Sequence, residues 1–257
     1  MAIKGSRAPA VQQAYVLHHY DWSESSLILD LFTREQGRMA VVAKGAKRPY
    51  SQLRAVLLPF QLIQVTLSKP GKTADGEAAE VVTLRAAEWA GGATMPAGAA
   101  LFSSYYLNEL LLKLLARQDP HTALFDAYAE TLPELHARED AQSQAALRAF
   151  ELRLLSELGL LPDLSLATQT QTPLKADGVY ALSPEAGVVP GGDLDGATLV
   201  QLQAALLHGS GAALRQACQA TLPALRSQLR GMLHYHLGQK PLRTRQVMLD
   251  VQKLMET

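Results

Sequence analysis

Residues 11–88 read as five short strands, because apolar side chains there recur at every second position. Ala14–Tyr20 is apolar and aromatic, and Asp21-Trp22-Ser23-Glu24-Ser25 breaks the run. In Ser26–Phe32, Leu27, Leu29 and Leu31 share one parity and Asp30 takes the other. Gln36-Gly37 marks a turn into Arg38–Lys44, where Met39, Val41 and Ala43 alternate. Pro59-Phe60 leads to a run with Ile63, Val65 and Leu67, and Val81–Ala87 supplies the last. Five strands in so short a span match a small closed barrel of the OB type, since closure removes exposed strand edges. An SH3-like barrel is the alternative, and strand count alone does not separate the two.

The pattern changes at Gly91-Gly92, with Pro96 and Gly98 close behind, which places a domain boundary there. Beyond it, apolar residues recur every three or four positions. Ala99–Arg117 carries Leu107, Leu110, Leu111, Leu114 and Leu115 and stops at Asp119-Pro120. Further helices are expected over His121–Ala137, over Ala141–Leu158 with Gly159 behind it, and over Asp195–Leu207 with Asp195 as N-cap. Ala212–Leu237 follows, jointed at Pro223, and then Leu242–Met255. Between them, Pro162–Asp195 is rich in Thr, Ser, Gly and Pro and shows only a hairpin-like pair near Val179–Leu182 and Gly187–Val189. The expected class is therefore α+β with two domains. Residues 1–10 form a tail, 11–90 the barrel and 91–257 a mostly helical domain, with an irregular insert over 162–195.

Charge singles out one window. The chain holds 24 basic and 24 acidic side chains. Thr33–Arg54 nevertheless carries Arg34, Arg38, Lys44, Lys47, Arg48 and Arg54 against Glu35 alone. A local excess of this kind selects a partner, and a polyphosphate backbone is the simplest one. The competing reading is a solvated strand and loop. In an OB-type barrel the second and third strands with their loops form a groove for single strands. Arg34, Arg38 and Lys44 would bracket that groove, with Lys47, Arg48 and Arg54 on the loop after it. Tyr15, Tyr20, Trp22, Phe32 and Tyr50 are candidate stacking platforms. Tyr15 and Phe32 are expected in the core, and Tyr50, between Pro49 and Ser51, at the surface. Lys240, Arg243 and Arg245 make a second basic cluster, either a phosphate track or a solvated helix start. Arg148 sits among apolar residues on a helix. It is either an ordinary solvated cation or the rim of a pocket for an acidic, hydrophobic peptide tail.

Several classes are disfavoured. Pro70-Gly71-Lys72-Thr73 imitates a phosphate loop, but Thr66 stands where its first glycine belongs. His18-His19 on a strand and His234 with His236 on a helix diverge, so neither pair suits a metal. No nucleophile–base–acid set stands out, so the chain is not expected to be an enzyme. Cys218 is the single cysteine, which rules out an internal disulfide. No apolar run approaches a membrane span and no secretory h-region follows the first residues, so a cytoplasmic protein is expected.

Taken together, the motifs resemble the bacterial RecO family of recombination mediators. The resemblance rests on AYVLH (Ala14–His18), WSESSLILDLF (Trp22–Phe32), Gly37-Arg38, VAKGA (Val42–Ala46) and Leu58-Pro59-Phe60. It continues through Leu107–Leu111, Leu147–Glu151 with Phe150, and GQKPLRTR (Gly238–Arg245). It implies an OB barrel followed by a helical domain. It also implies binding of single- and double-stranded DNA and annealing of complementary strands. With RecR, such a protein helps to load RecA on strands coated by single-strand-binding protein, docking on that protein's acidic C-terminal tail. By resemblance, Lys44 and its cationic neighbours become DNA contacts and Arg148 a partner for the tail's carboxylates. An adaptor whose barrel contacts protein and not DNA is the alternative, suggested by the neutral net charge. Many relatives carry a four-cysteine zinc module where this chain has its insert. Here Pro162–Val189 contains no cysteine, so no zinc or other cofactor is expected.

Overall fold

The computed structural model describes residues 11–69, 81–92, 94–137, 139–238 and 241–255. The tail at 1–10, the loop holding Lys72, and Lys240 lie outside the described residues. The chain divides into two compact units. One comprises residues up to Met95 together with Leu115–Phe125, and the other Pro96–Leu114 and everything from Asp126 onward.

In the first unit, β1 (Val11–Asp21), β2 (Leu27–Thr33), β3 (Gly37–Ala43), β4 (Ile63–Leu67) and β5 (Val81–Trp89) close into a barrel in the order β1-β2-β3-β5-β4. All neighbours are antiparallel except β3 and β5, and β1 pairs with both β2 and β4. This order is that of the OB type. Alternation places Ala14, Val16, Leu29, Leu31, Met39, Val41, Ala43, Ile63, Val65, Val82 and Leu84 inside. Each fully buried aliphatic of this size contributes roughly 1.5–3 kcal/mol. A short helix unmarked by the sequence pattern, α1 (Leu53–Val56), packs Leu53 and Val56 against this core.

The outer parity of the first three strands is also buried. Tyr15 is 3% exposed, Phe32 0% and Asp30 2%. Residues 115–125 cover this face as a strap, and the helix expected over Ala99–Arg117 ends before it, at Leu114. Phe125 packs its ring 5.3 Å from both Tyr15 and Phe32. The Gln118 amide donates to the Arg38 carbonyl at 2.8 Å, and the Thr122 hydroxyl to the Arg34 carbonyl at 3.3 Å. Gly37 (φ +69°) opens β3 where a Cβ would stand 1.9 Å from the Asp119 carbonyl oxygen. The strap approaches this closely only because residue 37 has no side chain.

The second unit is built around α4 (Asp140–Glu157), whose residues 145–152, Leu154 and Leu155 are buried on all sides. Such a helix belongs to a core, which its weak amphipathicity reflects. Its other described helices are α2 (Gly98–Leu114), α3 (Thr122–Glu134) from Asp126 onward, α5 (Gly196–Leu207), α6 (Gly211–Gln219), α7 (Leu222–His236) and α8 (Arg243–Met255). Asp195 caps α5, its carboxylate accepting from the Thr198 amide at 2.8 Å. The long helix expected over Ala212–Leu237 is two helices that part at Ala220-Thr221, with Pro223 in the first turn of α7.

The insert is more regular than its composition suggested. β8 (Val179–Ser183) lies between β9 (Gly187–Pro190) and β10 (Leu194–Asp195), and β6 (Leu166–Ala167) pairs with β7 (Thr172–Pro173). Side chains stitch it together. The Thr168 hydroxyl accepts from the Val188 amide at 2.8 Å, and the Tyr180 hydroxyl from the Lys175 amide at 2.9 Å. Gln228 of α7 accepts from the Leu182 amide and donates to Asp193.

Candidate nucleic-acid interface

The register sorts the six cations of the basic window into two groups. Asp21 pairs with Leu27 and Leu27 with Ala43, so the end of β1, the start of β2 and the end of β3 meet at one end of the barrel. Thr33 and Gly37 pair at the other. Lys44 therefore lies six residues from Arg38 along β3, about 20 Å. Arg34 and Arg38 do not share a surface loop with the rest.

Arg38 does not line an open groove. Its Nε donates to Asp30 Oδ1 at 3.1 Å and its Nη1 to the Leu115 carbonyl at 3.3 Å. The two side chains are 15% and 3% exposed. The outer face of β2 and β3, expected to be the groove, is filled by the chain's own strap. Asp30 is the residue the sequence reading missed here. It occupies the position diagonal to Arg38 across the hairpin, where opposite charges attract.

The cations at the opposite end are solvent-exposed. Lys44, Arg48, Tyr50 and Arg54 are exposed and Lys47 is half-buried. Gly45 (φ +72°) reverses the chain after β3, and the Arg48 stem lies against it. The Arg48 amide donates to the Gly45 carbonyl, the Ser51 amide to the Arg48 carbonyl, and the Arg54 amide to the Ser51 carbonyl. The Lys47 amide donates to the Ser25 carbonyl at 3.0 Å and fastens this loop to the β1–β2 turn. Lys47 Nζ stands 3.3 Å from Asp21, whose side chain is 79% exposed, so this pair is solvent-screened and weak. Among the described residues Lys44, Arg48 and Arg54 have no carboxylate partner. Tyr50 is 96% exposed, Trp22 64% and Tyr20 48%. The expected split of the aromatics therefore holds: Tyr15 and Phe32 are core, and Tyr50 is at the surface. His18 and His19 depart from strand alternation. A register shift between Val16 and His18 leaves their rings stacked, 6.0 Å apart.

Arg148 in the second unit is buried. Its Nη2 lies 2.9 Å from Glu151 Oε1, with the side chains 9% and 0% exposed. The Tyr106 hydroxyl donates to the same oxygen at 2.6 Å. Burial raises the Glu151 carboxyl above its ordinary value, opposed by Arg148, Tyr106 and Arg226. Arg148 is thus not a rim side chain on an exposed helix face; Glu151, one turn on, engages its Nη2, while its buried Nε has no hydrogen-bond partner among the described residues. Among the described residues, the exposed Arg226 lowers the Glu151 carboxyl and the exposed Arg245 lowers the Tyr106 hydroxyl.

At the second basic cluster, Glu109 caps α8. Its carboxylate accepts from the Arg243 and Thr244 amides, both at 2.9 Å, and from the Thr244 hydroxyl at 2.8 Å. Burial opposes the charge of Glu109, but these bonds and Lys113 prevail and hold its carboxyl below the ordinary value. Arg243 and Arg245 are exposed on the first turn of α8.

No group of three or more His, Cys, Asp or Glu side chains gathers among the described residues. The insert offers no thiolate, so the residues present do not fit a four-cysteine zinc site. None of the described helices is long and apolar enough to cross a membrane.

Comparison with known proteins agrees with this architecture. The family model for the recombination protein O N-terminal domain matches residues 9–85, and that for its C-terminal domain matches residues 96–246. A DNA repair protein RecO of Polaromonas naphthalenivorans is 52% identical over 252 residues, covering 95% of this chain and 97% of that protein. One from Variovorax paradoxus is 52% identical over 256 residues, covering 95% and 96%. One from Albidiferax ferrireducens is 49% identical over 249 residues, covering 95% and 96%. With both family models matched in order and near-full-length relatives at about half identity, the chain belongs to the RecO family of DNA repair proteins.

Proposed function

We propose that this chain is a non-enzymatic recombination mediator of the bacterial cytoplasm. It binds single- and double-stranded DNA through the charged end of the barrel and anneals complementary strands. With RecR it helps to load RecA on strands coated by single-strand-binding protein. The observation that carries the reading is the loop at 44–54. It presents Lys44, Arg48 and Arg54 to solvent without carboxylate partners among the described residues, in a protein of zero net charge. Phosphates drawn to these cations release counterions, which supplies affinity without reading sequence. Neutralising phosphates on two strands lowers their mutual repulsion, so complementary bases meet. No nucleotide and no metal takes part in this mechanism.

The acidic tail of single-strand-binding protein would meet the exposed Arg226 and Arg245 beside the buried cluster. A direct pair with Arg148 would first require Glu151 to be displaced. Arg243, two residues before Arg245 on the first turn of α8, points to another side of that helix. The adaptor reading has one observation in its favour, the covered face of β2 and β3.

The test replaces Lys44, Arg48 and Arg54 together by Glu. Binding of a labelled single strand and the rate of annealing are then followed by fluorescence anisotropy and energy transfer. Both are expected to fall at least tenfold. Unchanged binding removes this loop from the site, and a parent chain that binds no DNA favours the adaptor.

A further inference from the structure

The same barrel end carries an excess of exposed aromatic surface that charge does not explain. Within the first unit, Tyr15, Phe32, Phe60 and Phe125 are at most 3% exposed, and Trp89, 65% exposed, gives its indole N–H to Gln61. Trp22, Tyr20 and Tyr50 stand at 64%, 48% and 96%. Leaving rings of this size in water forgoes their burial energy, and an apolar surface beside cations marks a ligand with both phosphates and flat apolar faces. The backbone that carries the rings is also held in place. The Trp22 amide donates to the Ser26 carbonyl, Ser25 accepts from Lys47, and the 45–51 turn that carries Tyr50 is closed by its own backbone bonds. Tyr20 packs edge-on against His18, 4.5 Å between centroids. Lys47 is tied to the turn that carries Trp22, through Ser25 and Asp21, and Lys44 and Arg48 flank it in sequence, with Asp21 and Glu24 as the local acids.

We infer that Trp22 and Tyr50, with Tyr20 beside them, are base-stacking platforms, so that this end of the barrel takes single strands with their bases splayed and not the phosphate backbone alone. The inference rests on the DNA-binding reading of the same surface and deepens it. A surface holding phosphates alone is indifferent to whether bases are present. A stacking surface distinguishes an intact strand from a bare one. It gives the mediator a reason to prefer unpaired DNA, because stacked duplex bases offer no free face.

Two tryptophans make the test direct. Trp89 donates its indole N–H to Gln61 Oε1 at 3.3 Å and is removed as Trp89→Phe, leaving Trp22 as the only reporter. The full chain is titrated with oligo-dT and with an oligomer of equal length and charge whose bases are replaced by abasic sites. Binding is read by anisotropy of labelled DNA and stacking by Trp22 emission. Oligo-dT is expected to quench Trp22, and the abasic oligomer to bind about tenfold more weakly without quenching. Trp22→Ala and Tyr50→Ala are each expected to weaken oligo-dT binding several-fold and leave abasic binding unchanged, and Trp22→Phe to restore affinity. Equal affinity for both oligomers with unaltered Trp22 emission overturns the stacking inference while the charge reading stands. No binding of either oligomer overturns both.

Discussion

Replacing Arg38 by Ala separates a structural role from a DNA contact. The substitution leaves the Asp30 carboxylate, 3% exposed, without its 3.1 Å partner and removes the bond from Nη1 to the Leu115 carbonyl. Removing one member of a buried pair costs roughly 3–5 kcal/mol, because the remaining charge is stranded. Arg38 keeps 15% exposure, so the lower end, about 3 kcal/mol, is expected. Both tryptophans, Trp22 and Trp89, belong to the barrel unit, so urea unfolding followed by their emission reports that unit. Arg38→Met with Asp30→Leu is expected to be less destabilised than Arg38→Ala alone, since an apolar pair strands no charge. The salt dependence of DNA binding, measured on the same proteins, should be unaltered. A structural role for Arg38 is excluded if Arg38→Ala keeps stability within about 0.5 kcal/mol of the parent and loses about 0.7 from the salt slope, the signature of one lost phosphate contact.

Gly37→Ala sets a Cβ 1.9 Å from the Asp119 carbonyl at a positive φ, and a loss of about 1–3 kcal/mol in the same urea assay is expected; a change under about 0.5 would show the strap yields freely. Cys218 is buried, and burial, with nearby Glu151 adding, pushes its thiol up to about 12, so native protein should react with a disulfide reagent only as fast as the second unit opens. Arg148→Ala, by stranding Glu151 at a cost of roughly 3–5 kcal/mol, should accelerate that reaction at least tenfold, and an unchanged rate would contradict the buried pair. Glu109 and Glu151 should give opposite pH effects. The depressed Glu109 carboxyl stabilises above its ordinary value, 4.5, and this is lost as pH falls through the folded value; the raised Glu151 carboxyl stabilises fully below 4.5 and this is lost as pH rises through its folded value. Glu109→Gln should flatten the acid limb of the stability profile and Glu151→Gln the limb above it, and identical profiles would refute both assignments.

Much of the barrel was legible because a strand with one buried face writes its period into the chain. Leu27, Leu29 and Leu31 sit inside as alternation requires, and the hairpin near Val179–Val189 follows the same rule. The strap was not legible. Residues 115–125 carry no periodicity, and Arg117-Gln118-Asp119-Pro120 reads only as a stop. One signal did exist: Phe32 and Tyr15 place aromatics on the outer parity, so that face needed a cover. The cation window was visible as charge, but its division required the register. Asp30 and Arg38 meet only because the turn at Gln36-Gly37 sets them diagonally. Arg148 and Glu151 stand at i and i+3 on one helix, a spacing that was readable. The cap of α8 by Glu109 joins residues more than 130 apart in sequence and leaves no local mark.

In the proposed function the exposed loop at 44–54, and not the strand face beneath the strap, holds the DNA backbone. The slope of log affinity for a single strand against log salt tests it, measured for the parent, for Lys44→Ala with Arg48→Ala, and for Arg34→Ala. Loss of two phosphate contacts should reduce the slope by about 1.4 in the double variant and leave the Arg34 variant at the parent value. An unchanged slope in the double variant, or the larger reduction at Arg34, would place the DNA backbone elsewhere.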